Sequence, residues 1–266
     1  MTDGKAIAPT RELPYFAEWE EPLSGLQGRE SKQVEDVLRR HFDLGANEAT
    51  REEPVCYDRR DLRHAITPDV FVVLGVPSRI RERYLPWTEG KPPDWALEVA
   101  SSSTAERDRT DKLTVYHALG VREVFLFDPT GEFHPQVLAG YSWAPEGYQP
   151  IEPEGERFSS EKLGLLLEAE SYREDKVLYY RLRFVDPTTG ERLPTTEEIA
   201  KSTREALEEN AQALRQKDQA LRQKDQALRQ KDQALVQNAQ ALRQKDQALA
   251  EKERLIQDLR RKLGEV

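Results

Sequence analysis

Residues Asp94 to Pro129 read DWALEVASSSTAERDRTDKLTVYHALGVREVFLFDP, and this stretch decides the fold. Trp95 to Ala100 is short and apolar, the pattern of a buried strand. Strand alternation places Ala96, Glu98 and Ala100 on one face and Trp95, Leu97 and Val99 on the other. One carboxylate therefore stands among small residues. Ser103 with Glu106 three residues on forms a capping box, which predicts a helix from Thr104 to Leu119 with Gly120 as its stop. Val124 to Asp128 is a further buried strand, and a strand–helix–strand unit of this kind predicts a parallel pair joined by a crossover.

Working outward, the same helix carries a charge where apolar residues are expected. At 3.6 residues per turn, Ala105, Asp108, Lys112, Val115, Tyr116 and Leu119 share one face, and it is the apolar one. Taken alone, Asp108 and Lys112 read as an ordinary helix-surface pair worth a few tenths of a kcal/mol. Upstream, Pro68 to Leu74 is another short, β-branched strand, with Asp69 at its mouth. Buried charges are costly unless they serve each other or a metal. Two carboxylates on adjacent strands make a hard, oxygen-rich site suited to Mg²⁺ or Mn²⁺. A lysine beside them orients an attacking water or offsets developing negative charge, which phosphodiester hydrolysis requires.

These residues carry a family resemblance. Pro68-Asp69-Val70, Leu97-Glu98-Val99-Ala100-Ser101 with Ser103-Thr104, Asp111-Lys112-Leu113, Tyr116, Gly120-Val121-Arg122-Glu123-Val124 and Phe127-Asp128-Pro129 resemble the Uma restriction-endonuclease family, of the PD-(D/E)XK nuclease superfamily. The similarity runs from about Leu23 to Pro194. It implies a restriction endonuclease-like mixed β-sheet core with flanking helices, acting as a Mg²⁺-dependent endodeoxyribonuclease on DNA. Asp69 and Glu98 become the metal-binding acids and Lys112 the motif lysine; Asp108, four residues before Lys112 on its helix face, is read separately as a supporting partner for that lysine. The resemblance also brings a first-helix glutamate toward the metal, either Glu30 or Glu35. One position departs: two after Glu98, where the superfamily motif has lysine, this chain has Ala100, so Lys112 must serve from the helix. The contrasting reading is a binding or scaffolding protein that keeps the nuclease fold without its activity.

Composition sets the organisation. The 266 residues include 40 basic and 49 acidic side chains, and the stretch through Thr196 holds 25 and 36 of these, a balance of −11. A dedicated DNA binder is usually basic. Arg59, Arg60 and Arg63 before the Asp69 strand, and Arg79, Arg81 and Arg83 after it, are local clusters that either flank the site and grip phosphate or, the commoner outcome, stand as solvated loop arginines. A single cysteine, Cys56, excludes an internal disulfide and fits a reducing cytosol. No run of eighteen apolar residues occurs and Met1 to Arg11 has no apolar signal, so a cytoplasmic protein with no membrane partner is expected.

Three segments follow. Residues 1–22 read as an irregular arm and 23–194 as the nuclease-like domain, with an amphipathic helix over Ser31 to Phe42. Strands are predicted at Pro54 to Tyr57, Val137 to Trp143, Tyr148 to Ile151 and Val177 to Val185, a mixed α/β sum. Residues 195–266 form a heptad array without aromatic residues or proline past Thr196, and predict a continuous helix. Leu214, Leu221, Leu228, Leu235 and Leu242 occupy a, but Lys217, Lys224, Lys231, Asn238 and Lys245 occupy d. Half of the seam is polar, so homo-oligomerisation through the tail is expected to be marginal.

Overall fold

Six strands form the main sheet: β1 (Asn47–Thr50), β4 (Val70–Leu74), β5 (Trp95–Val99), β6 (Glu123–Phe127), β7 (Leu138–Ala144) and β8 (Gly147–Ile151). The computed structural model describes residues 25–101, 108–262 and 264 of the chain, and places these strands side by side in that order. All neighbours are antiparallel except β5 and β6, which run parallel with Trp95 opposite Glu123 and Val99 opposite Phe127, as their connection predicts. A hairpin of β2 (Val55–Cys56) and β3 (Ala65–Ile66) lies apart from this sheet. A second sheet is built from β9 (Arg157–Ser160), β10 (Leu165–Glu174) and β11 (Val177–Val185), in the order β11-β10-β9.

Period-two alternation divides the core between the two faces of the main sheet. Val70, Val72, Trp95, Leu97, Val99, Phe125 and Phe127 pack with Val34, Val37 and Leu38 of helix α1 (Gly25–His41) and with Leu167, Leu182 and Phe184 of the second sheet. On the other face Phe71, Val73, Ala96, Val124 and Leu126 meet Val115, Tyr116 and Leu119 of helix α3 (Leu113–Leu119). A one-turn helix, α2 (Pro86–Glu89), lies between β4 and β5. Each fully buried large apolar side chain contributes about 1.5–3 kcal/mol. Close packing reaches the backbone at Gly140, where a Cβ would stand 2.7 Å from the Phe125 ring.

The helix predicted from Thr104 has a different make-up where it is described. Its capping box at Ser103 and Glu106 lies outside the described residues. Asp108–Lys112 is a π-helical turn that passes into α3, and Gly120 ends α3 in the left-handed conformation at φ 84°, as expected. Helix α1 starts at Gly25 instead of Ser31, because Gln27, Glu30 and Ser31 are buried against the core and Ser31 Oγ donates to the Gln27 carbonyl. The pairing of β10 with β11 was not legible: Leu165-Leu166-Leu167-Glu168-Ala169-Glu170 is made of good helix formers, and only the partner strand holds it extended.

Helix α4 (Thr196–Lys262) is the predicted tail helix, 67 residues long. Its start is a capping box: Thr195 N–H donates to Glu198 at 2.8 Å and Glu198 N–H to Thr195 Oγ1 at 3.1 Å. Arg183 adds a two-pronged contact to Glu198, at 2.8 and 3.0 Å. Hydrogen bonding by Arg183 holds the Glu198 carboxyl below its ordinary range. The chain divides into two units, residues 1–199 and 200–266. Among the described residues no helix is long and apolar enough to cross a membrane. The arm expected over residues 1–22 lies outside the described residues.

Candidate active site

Strand register brings the two acids together. Val70 pairs with Leu97 across β4 and β5, so one residue beyond the ladder Asp69 comes opposite Glu98. Val99 N–H donates to Asp69 Oδ2 at 2.6 Å, which ties the Asp69 carboxylate to the end of β5. Gln27 of α1 donates to the same carboxylate, at 3.2 and 3.4 Å. The Asp69 side chain is thereby gripped from a strand and from a helix.

Glu98 points toward α3, the face that alternation assigns it. Lys112 Nζ lies 3.0 Å from Glu98 Oε2, and Tyr116 donates its hydroxyl to Glu98 Oε1. Lys112 and Tyr116 are four apart, so they present side by side to the sheet. Glu98 is wholly buried and Lys112 is 2% exposed, which removes the surface-pair reading of this lysine. An ion pair in such a place carries a large desolvation cost, met here by the Tyr116 hydroxyl and by the pairing itself.

The other predicted positions fall differently. Glu30 is buried on the α1 face that carries Gln27, one turn along, and its Oε2 has no hydrogen-bond partner among the described residues. Burial pushes its carboxyl up to about 7, against Arg181, Arg29 and the Leu182 N–H, which favour the charged form. Glu35 pairs instead with Arg51 at 3.2 Å and Lys32 at 3.9 Å, and no described contact joins it to Asp69 or Glu98. The Asp108 side chain lies outside the described residues. Ala100 is buried, with its N–H bonded to the Phe127 carbonyl.

One member of the arginine clusters, Arg81, is a correction. The Arg81 side chain is largely buried and held by Glu48 at 2.6 Å, Glu89 at 3.4 Å and Glu53 at 3.8 Å. Arg79 pairs with Glu89, Arg60 with Asp58 and Arg63 with Asp61. Arg60 and Arg63 are met by acids two residues away, whereas Arg81 is met by acids of other segments and is not a surface group able to grip phosphate. Two residues around the candidate site were given no role there from sequence. Tyr116 carried a signal, four residues past Lys112 on one face; Gln27 carried none, standing before the predicted start of its helix.

Asp69 and Glu98 offer only oxygen donors, which suits a hard divalent cation and not a soft one. Among the described residues no group of three or more His, Cys, Asp or Glu is clustered to hold a metal ion. A pair of carboxylates matches Mg²⁺ in particular, which keeps several waters and takes one or two protein carboxylates plus a substrate phosphate.

A family model described as "Putative restriction endonuclease", Uma2, matches residues 18–171. The chain belongs to the Uma2 family. Asp69, Glu98, Lys112 and Tyr116 all fall inside the Uma2 match, whereas α4 falls outside it. The chain is similar to a solved structure from Anabaena variabilis, titled a "putative nuclease belonging to DUF820", at 16% identity and a TM-score of 0.40, covering 55% of this chain and 78% of that one. No curated protein matches the chain.

Proposed function

We propose that this Uma2 protein is a metal-dependent endonuclease that hydrolyses phosphodiester bonds in DNA at Asp69, Glu98 and Lys112, in the manner of the PD-(D/E)XK superfamily. The observation that carries the reading is the buried Glu98–Lys112 contact at 3.0 Å, set beside an Asp69 held by its own donors. Asp69 and Glu98 hold Mg²⁺ or Mn²⁺, and the ion, when bound, supplies Lewis-acid activation of a water nucleophile. Val99 N–H and Gln27 keep the Asp69 carboxylate turned to one side of the sheet end. Tyr116 and Lys112 fix the rotamer of Glu98. Lys112 takes the place of the motif lysine that Ala100 lacks, and its ammonium offsets negative charge growing on the phosphate oxygens. The acidic balance of residues 1–196 makes this local cation more important, because long-range attraction for DNA is absent.

The test is cleavage of plasmid DNA by full-length protein with and without Mg²⁺ or Mn²⁺. Asp69→Asn and Glu98→Gln abolish cleavage and weaken Mn²⁺ binding measured by titration calorimetry, while circular dichroism is unchanged. Lys112→Ala slows turnover more than it weakens Mn²⁺ binding, since its role lies at the transition state. Equal cleavage by wild type and all three variants refutes the assignment. Ala100 at the motif position favours a second reading, a nuclease fold without activity that works through its tail. On that reading wild type binds no Mn²⁺ at Asp69 and Glu98.

A further inference from the structure

Helix α4 leaves a leucine stripe uncovered. Leu207, Leu214, Leu221, Leu228, Leu235, Leu242 and Leu249 recur every seven residues, and each is 58–68% exposed. Among its described side chains none is buried. A straight α-helix drifts about 20° per heptad against a strict seven-residue repeat, so across six heptads the stripe winds by roughly 120°. A flat surface or a straight groove loses contact with such a stripe after two or three turns of the repeat. Only another helix with the same period, supercoiling with this one, follows it from end to end.

We infer that this partner is a second copy of the chain, parallel and in register. Area supports it: a helix about 100 Å long with a contact strip roughly 10 Å wide buries on the order of 1,000 Å² per chain, above the roughly 800 Å² of a standard interface. Charge selects orientation. With leucine at a, the d residues are Lys217, Lys224, Lys231, Lys245 and Lys252, and each is followed at e by Asp218, Asp225, Asp232, Asp246 or Glu253. In a parallel, in-register pair each d lysine stands opposite the same lysine of the partner, and the partner's e acid beside it takes up its ammonium, so each layer holds two lysines and two acids. In an antiparallel pair the e positions flank one another and acid faces acid. Asp218 and Asp225 pair with Arg222 and Arg229 of their own helix, at 3.0 and 3.5 Å, contacts worth a few tenths of a kcal/mol each.

Register has its own device. A repeat this regular would slide by one heptad without penalty, but two layers break it: Asn210 with Ala211, and Asn238 with Ala239. In register, asparagine faces asparagine at both layers. A slip of one, two or three heptads sets Asn210 of one chain and Asn238 of the other each against a lysine whose facing e residue is alanine, leaving that lysine without its acid. A polar residue at a single seam position is known to specify register in this way.

The experiment uses the full chain, whose one native cysteine, Cys56, is buried, with wild type oxidised alongside as control. Sedimentation equilibrium should give twice the 30.6 kDa chain mass as concentration rises. Leu249→Cys in a glutathione redox buffer should form a covalent dimer through like positions. In a mixture of Leu242→Cys and Leu249→Cys chains, like-position disulfides should outnumber unlike ones. Repairing the repeat with N210K, A211D, N238K and A239D together should raise the unlike fraction. A chain that stays monomeric at every concentration, an absence of the covalent dimer in the Leu249→Cys variant, or an unlike fraction that is already dominant overturns the inference. An unlike fraction indifferent to the repair overturns the role of the two asparagine layers. None of these readouts depends on the nuclease site.

Discussion

Replacing Glu30 by glutamine isolates one buried charge and should change how stability depends on pH. Glu30 is 1% exposed, its Oε2 has no hydrogen-bond partner among the described residues, and burial raises its carboxyl from 4.5 to about 7. Between these values the folded state binds the proton more tightly than the unfolded state. The stabilisation is therefore complete below pH 4.5 and is lost as pH rises through 7. A shift of that size makes the wild type lose about 2–3 kcal/mol from this residue alone between pH 5 and pH 8. Glutamine cannot titrate, so Glu30→Gln should lose that much less over the same interval. Glu53 and Glu123, raised by burial as well, keep their own share of the slope. The assay is urea unfolding of wild type and variant at both pH values, comparing the difference within each protein so that any constant packing cost cancels. Identical pH slopes would refute the reasoning and place the Glu30 carboxyl in a better-solvated setting than the fold describes.

Other outcomes follow from the same geometry. Lys112→Met removes the cation from a wholly buried Glu98 and should cost about 3–5 kcal/mol, read as a fall in thermal midpoint; an unchanged midpoint refutes the buried pair. Gly140→Ala drives a methyl into the Phe125 ring and should cost roughly 1–3 kcal/mol by chemical denaturation, with wild-type stability the contrary result. Asp128 accepts N–H bonds from Thr130, Gly131, Phe133 and His134, so Asp128→Ala should destabilise the turn after β6 by at least about 1–3 kcal/mol, measurable by hydrogen exchange of those amides. A chain ending after residue 199 keeps the Arg183–Glu198 clasp and should unfold cooperatively, whereas one ending at Thr195 should be less stable; equal midpoints would remove the clasp from the account.

Sequence by itself determined the elements whose hydrophobic period is strong and the acids that interrupt it. Glu98 was assigned to its face by alternation, Lys112 to its face by the 3.6-residue turn, and the heptads from Leu207 onward to one long helix, because these periods are properties of the backbone and need no partner. Tertiary structure alone decided the rest. Leu165–Glu174 became a strand because β11 was there to pair with it, against its own helical propensity. Gln27 reached Asp69 only because α1 begins at Gly25 and packs beside the sheet, a contact spanning 42 positions that no local pattern encodes. Arg81 left the surface for Glu48, Glu53 and Glu89, since the acids that neutralise it come from distant segments. Local periodicity specifies which way a side chain points; what it meets there depends on the packing of segments remote in the chain.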